Sequence, residues 1–254
     1  MKSSLLHASP MAWWQCDALN STGPLEIGRS RALHIREERL SARPDACRLL
    51  YVSDIHLRPG RSDTLSDQVM DAAIRSRPHA VLLGGDLVDS RSELSALSRL
   101  VRKLGEIAQV LAIGGNHDHQ IGMPRVREAV TEGGARWIHD GIANVVYAGA
   151  VIAVSGPESA PHADGDVRVL CAHNPRIWRR SRDAGYHLVL AGHLHGCQLV
   201  AWEYRGRLFP GGLFYRYCFS RRHHGSTRLV VSRGVSDLVP IRWRCPREVV
   251  LCHV

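Results

Sequence analysis

Five short motifs, in order along a chain of 254 residues, hold the side chains most able to do chemistry. They are Asp54-Ile55-His56, Gly85-Asp86, Gly115-Asn116-His117-Asp118, Ala172-His173-Asn174 and Gly192-His193-Leu194-His195. Each is weak alone: Asp-x-His arises readily by chance, Gly-Asp after a strand is an ordinary turn, and Asn and Asp are common loop residues. Together, Asp54, Asp86 and Asn116 offer three oxygen donors, and His56, His173, His193 and His195 offer four imidazoles. That mixed set suits a pair of borderline transition metals, with manganese, iron and zinc all compatible. A metal pair of this kind points to hydrolysis of a phosphate ester.

Spacing supports the grouping. Asp54 and His56 are two residues apart, as are His193 and His195. In extended backbone that spacing turns both side chains the same way, so one ion could take both. Glycines before Asp86 and Asn116 allow tight turns that bring a carboxylate and an amide into a crowded site.

A strand–loop–helix rhythm must carry these loops. Apolar runs predict strands over 48–53, 79–83, 108–113, 167–172 and 187–191, and each ends at a motif. Apolar residues at helical spacing predict helices over 64–76, 92–104, 124–131 and 175–183. Further strands are expected over 32–40, 144–148, 150–154, 197–204, 207–209, 227–233 and 247–253, with a Pro/Gly/Asp-rich loop over 156–166. Ligands in open α/β sheets gather at the loops that follow strand C-termini, where every motif falls. Residues 1–30 lack periodicity and read as an N-terminal arm carrying Trp13-Trp14, leaving a single domain over 31–254.

Composition bounds the function class. With 44% hydrophobic residues the chain can bury a substantial core, and no run approaches the ~18 apolar residues of a membrane-spanning helix. The apolar start stops at His7 and Pro10 follows, so no secretory signal is expected. The formal charge is +9, and only Lys2 and Lys103 among 33 basic residues are lysine. Arginine-rich coding explains this blandly; attraction to phosphorylated substrates, acidic lipid or nucleic acid is the functional alternative. Seven cysteines without a Cys-x-x-Cys pair fit buried thiols in a reducing compartment. The expected location is cytoplasmic, peripheral to the membrane.

The ordered motifs resemble the signature of the calcineurin-like metallophosphoesterases: D-x-H, G-D, G-N-H-D/E, H and G-H-x-H, matched from about residue 32 to the C-terminus. Val52-Ser53-Asp54-Ile55-His56-Leu57, Gly85-Asp86-Leu87-Val88-Asp89, His173-Asn174-Pro175 and Gly192-His193-Leu194-His195-Gly196-Cys197-Gln198 are similar to a bacterial phosphodiesterase branch with a G-H-T-H-G-G-Q motif. Ser232-Arg233-Gly234 and Pro246-Arg247-Glu248 resemble that branch's ending. Some enzymes of the branch cleave lipid-linked or cell-envelope phosphate esters.

The resemblance implies an α/β fold, a four-layer α/β/β/α sandwich of two mixed sheets. It implies two divalent or mixed-valence transition metal ions: Asp54, His56 and His195 on one, Asn116, His173 and His193 on the other, and Asp86 bridging both. Such ions lie ~3.5–4 Å apart and share a water that attacks phosphorus. By the same resemblance His117 contacts the phosphoryl group and serves the leaving oxygen, and Asp89 orients it. Leu194 and Cys197 replace the usual Thr and Gly of the last motif, neither of them a ligand position. Asp89-Ser90-Arg91 stands where several phosphatase relatives carry Asp-Arg-Gly.

The expected activity is hydrolysis of a phosphodiester or phosphoanhydride in a lipid-linked or nucleotide-sugar substrate. A metal-dependent nuclease, a phosphomonoesterase and a non-catalytic scaffold compete with it; scaffolds typically lose His117 or some ligands, and this chain retains all of them. Asp118 reads equally as a turn cap or a site residue, and His119 lies near enough in sequence to touch substrate. The aromatic and basic stretch 202–228 has a bland reading, a twisted hairpin with a partly buried aromatic face. Its sharper reading is an amphipathic flap that meets lipid, and single-stranded nucleic acid is a third.

Overall fold

Runs such as Arg48–Val52 (RLLYV) are too short for a helix and apolar at nearly every position, as a strand between two covering layers must be. The structure, a computed structural model, describes residues 25–27, 32–160, 164–237 and 239–254. In it β3 (Arg48–Val52) turns Leu50 and Val52 to one face and Leu49 and Tyr51 to the other. The two-residue period thus splits one strand between two cores.

The first sheet has the order β2 (His34–Arg39), β16 (Glu248–His253), β3, β4 (Ala80–Gly84), β5 (Gln109–Ile113), β6 (Arg136–Trp137). β3 to β6 run parallel, while β16 is antiparallel to β3 and parallel to β2. Its outer face is covered by α1 (Ser62–Ser76), α2 (Leu94–Gly105) and α4 (Met123–Glu132), which bury Leu65, Val69, Leu97, Leu100, Val101 and Val126 against it. A one-and-a-half-turn helix, α3 (Asn116–Ile121), precedes α4.

The second sheet has the order β13 (Arg221–His224), β14 (Thr227–Val231), β10 (Leu188–Ala191), β9 (Val167–Cys171), β8 (Ala150–Ser155), β7 (Ile142–Tyr147). Parallel pairs at its centre and antiparallel pairs at its edges make it mixed as well. Its inner face meets the first sheet through Val145, Ile152, Val154, Val169, Leu188 and Leu190. Tyr51 crosses the seam, its hydroxyl donating to the Ala172 carbonyl at 2.7 Å. The outer face, including Leu170, Val189 and Leu229, is covered by Trp178 on the single turn α5 (Trp178–Ser181) and by Tyr186 and Phe219. The four-layer α/β/β/α arrangement is therefore present, with a thin fourth layer.

Two ribbons flank the sandwich: β11 (Val200–Tyr204) with β12 (Arg207–Pro210), followed by the turn α6 (Gly211–Phe214), and β1 (Leu25–Ile27) with β15 (Ile241–Trp243). Of the arm expected over 1–30, only Leu25–Ile27 lie within the described residues, as β1; residues 161–163 of the 156–166 loop lie outside them too.

Several expectations need correcting. The helix expected over 175–183 is a 3-10 turn at Pro175–Ile177 followed by α5, started by the Asn174 side chain accepting from Arg176 N and ended before the left-handed Gly185. The strand expected from 197 begins at Val200, because Cys197 and Gln198 take left-handed backbone. The sequence pattern does not predict β13, β15 or β6; β13 reads Arg-Arg-His-His, an exposed edge with no apolar alternation to betray it.

Candidate metal centre

Each motif sits on the loop after a strand: Asp54 and His56 after β3, Asp86 after β4, Asn116 after β5, His173 after β9, and His193 and His195 after β10. The first three strands belong to one sheet and the last two to the other, so the site lies at the edge where both sheets deliver their C-termini. Asp54, His56, Asp86, His193 and His195 all adopt positive φ, from 48° to 80°. Left-handed backbone costs a non-glycine residue about 1–3 kcal/mol and persists where the surroundings fix it. Here the loops fix one another: Asp54 N donates to Gly85 O, His56 N to Asp86 O, and Gly192 N to His173 O, all at 2.8–3.0 Å.

Glycine is required where these loops touch. A Cβ at Gly115 would stand 2.2 Å from Asp86 Oδ1, and one at Gly192 would stand 2.3 Å from Asp54 Oδ2. Any side chain there would displace a carboxylate from the centre.

Among the described residues three donor groups result, one of them formed by His56 with Asp89 and His117 and the other two by the motif residues. Asp54, His56 and His195 form one; Asp86, His173 and His193 form the other; each places its donor atoms within 4.8 Å of one another. Asn116 adjoins the second, its Oδ1 3.1 Å from His173 Nε2, and the two clusters meet where His56 Nε2 lies 3.8 Å from Asp86 Oδ2. The ring nitrogens divide by role. His56 Nδ1 faces Asp89 Oδ1 at 2.6 Å, His173 Nδ1 faces Gly84 O at 3.1 Å, and His195 Nδ1 faces Ser236 O at 2.9 Å. Each such partner can accept an Nδ1 proton and so turns Nε2 inward, the orientation a metal ligand needs. His56 Nε2 is buried with no hydrogen-bond partner among the described residues. An inward, buried, unpartnered nitrogen beside two carboxylates fits a cation, and the donor set fits two.

The electrostatics agree. Burial works against the Asp54 charge, but His195, His173 and His56 outweigh it and hold the carboxyl at about 2. Burial likewise opposes protonation of His173, yet its hydrogen bond to Asp86 and the charge of Asp54 carry it up to about 9. Such mutual shifts are those of carboxylates and imidazoles packed together in one buried cluster.

His117 stands apart from the donors, half-buried at the rim, with Nδ1 2.9 Å from Asp89 Oδ1. The same oxygen serves His56, so one carboxylate orients both rings. His117 N also donates to Asp86 Oδ1 at 2.8 Å. Asp118 is wholly buried and acts as a brace: Oδ1 accepts from Leu87 N and Val88 N, and Oδ2 from Gly115 N. His119 is exposed on α3, and Arg91 donates to the Ile121 carbonyl. Cys197 Sγ lies 3.1 Å from Cys218 Sγ, close beside Gly211 of α6.

Sequence reasoning missed Arg242. It is buried on β15, where its guanidinium pairs with Asp237 and donates to the carbonyls of Arg233, Ser236 and Cys245. It thereby holds the Ser236 carbonyl that orients His195. Nothing in its local pattern distinguishes it from the other arginines, because its partners are backbone oxygens brought in by the fold.

Residues 47–197 match the calcineurin-like phosphoesterase family. Phosphodiesterase YaeI of Escherichia coli (strain K12) is 26% identical over 221 residues, covering 82% of each chain. An uncharacterized metallophosphoesterase of Bacillus subtilis (strain 168), YkuE, is 26% identical over 82% of this chain and 78% of its own. Among solved structures, TT1561 of Thermus thermophilus aligns over 75% of this chain and 91% of that one, at 13% identity and a TM-score of 0.45.

Proposed function

The chain belongs to the calcineurin-like phosphoesterase family, and from that premise we propose that it is a dimetal hydrolase of phosphodiesters. Asp54, His56 and His195 would hold one ion, Asn116, His173 and His193 the other, with Asp86 shared between them. Manganese, iron and zinc all suit this mixed nitrogen and oxygen set. Bound there, the metals supply an acidified water and positive charge against the phosphoryl oxygens. The observation that carries the reading is the meeting of two donor clusters in which the buried imidazoles of His56, His173 and His195 turn Nε2 inward.

The remaining steps belong to the chain's own groups. Asp89 fixes the His117 ring through Nδ1, leaving Nε2 as the atom that hands a proton to the leaving oxygen. The His117 main-chain N–H holds Asp86 in place, so the proton donor and the shared carboxylate keep a fixed relation. An alkyl diester needs that proton more than an activated monoester does, because an alkoxide is a poor leaving group. Phosphodiesterase YaeI, similar along 82% of this chain, supports the diester reading. Lipid-linked and nucleotide-sugar esters are the substrate classes proposed.

The test is hydrolysis by metal-reconstituted protein of monoesters, diesters and nucleotide-diphosphate lipids, with Asp86→Ala as control. Diester or anhydride cleavage should dominate, and the folded variant should lose at least about 100-fold in rate. A folded Asp86→Ala protein with full activity would show that the site assignment is wrong.

A further inference from the structure

The apolar surface of this protein is unevenly placed. Among the described residues, only Ile74 and Val146 of the exposed large apolar side chains lie away from the flanking ribbons and α6. Leu213 and Phe214 on α6 are 67% and 79% exposed, and Tyr215, Trp202 and Tyr204 stand exposed around them. The charges there are one-sided: residues 199–228 contain six arginines and a single acidic residue, Glu203. Arg205, Arg216, Arg221 and Arg222 are all exposed.

We propose that β11, β12 and α6 form a docking surface for an anionic lipid bilayer, with Leu213 and Phe214 entering the acyl boundary and the arginines meeting lipid phosphates. Exposed aromatic and aliphatic side chains on an arginine-rich segment are the composition of an interfacial anchor. No described helix is long and apolar enough to cross a membrane, and the contact proposed is a peripheral one.

Two other occupants fit less well. Single-stranded nucleic acid needs open aromatic faces for base stacking. Here several rings already carry a partner on one face: Arg205 lies over Tyr204 at 5.3 Å, Arg216 over Tyr217 at 5.9 Å, and Trp202 stacks on Phe209 at 5.2 Å. Leu213 offers no stacking face at all. A second copy of the chain would bring one arginine-rich surface against another, at a cost in like-charge repulsion.

Gly211 of α6 rests on Cys197, two residues beyond His195, so the anchor adjoins the loop of the last motif. Docking would then hold the centre at the lipid–water boundary, facing phosphoesters of amphiphilic molecules. That consequence rests on the phosphoesterase reading; the docking itself does not.

The experiment is co-sedimentation of the full chain with vesicles of phosphatidylcholine alone and of phosphatidylcholine mixed with phosphatidylglycerol, alongside hydrolysis of a soluble diester. Binding to the mixed vesicles should be at least about tenfold tighter and should weaken with salt. Leu213→Glu with Phe214→Glu should reduce it about tenfold or more at unchanged melting temperature, and Arg221→Glu with Arg222→Glu should remove the preference for the anionic vesicles. Equal or absent binding to both vesicles overturns the proposal, as does unaltered binding by the Leu213 and Phe214 double variant. Absent vesicle binding with a dimer that the double variant dissolves, or with selective capture of a single-stranded oligonucleotide, overturns it in favour of those occupants. Loss of vesicle binding with diester hydrolysis intact tells against the anchor alone; the reverse tells against the hydrolytic reading alone.

Discussion

At the scale of single residues, the proposed mechanism separates holding metal from moving a proton. Asp89 links the two, because its Oδ1 accepts from both His56 and His117. His117→Gln should keep both ions and lower the diester rate by about 100- to 10,000-fold. Asp89→Asn should cost about 10- to 100-fold and also weaken metal retention, since it orients His56 as well. Metal analysis and rate measurement on both variants check this; equal metal content and equal rate for Asp89→Asn would contradict it. The donor residues are legible in the sequence because Asp-x-His and His-x-His spacings and glycine pairs are local signals. The double duty of Asp89 is not, since sequence pairs a carboxylate with one histidine and cannot show that another ring reaches the same oxygen. The turn-cap reading of Asp118 is legible, as its bond to Gly115 N shows. Its bonds to Leu87 N and Val88 N and the carbonyl partners of Arg242 are not, because the fold brings them in from elsewhere.

At the scale of elements, the site depends on loops that brace one another. Strands β3, β4, β5, β9 and β10 are short and apolar, and their positions follow the sequence within about two residues, because burial on both faces demands a continuous apolar run. The edge strands β13 and β15 carry no such run and leave no local signal. Between the loops after β4 and β5, the Asp118 carboxylate accepts three main-chain N–H donors. Asp118→Ala would leave those buried donors unpaired and should lower stability by about 3 kcal/mol in denaturant titration, with Asp118→Asn milder because it keeps one acceptor oxygen. A loss below about 0.5 kcal/mol for Asp118→Ala would contradict the brace.

At the scale of the whole molecule, the two mixed sheets share one edge at which five loops converge, and this convergence turns weak motifs into a site. The apolar seam between the sheets, crossed by Tyr51, fixes their relative position and so the distance between the two donor clusters. Family resemblance implies the layer count; the thinness of the fourth layer is hidden, because a single turn around Trp178 leaves only a faint periodic pattern. The proposed docking surface and the loop of the last motif meet beside Cys197, where Gly211 packs against it. The most direct test of the central claim is a titration of metal-free protein with Mn(II), following bound metal per chain and diester hydrolysis in the same samples. Saturation is expected at two ions per chain, with hydrolysis rising as the second binds. Saturation at a single ion with full activity, or hydrolysis by the metal-free chain, would contradict it.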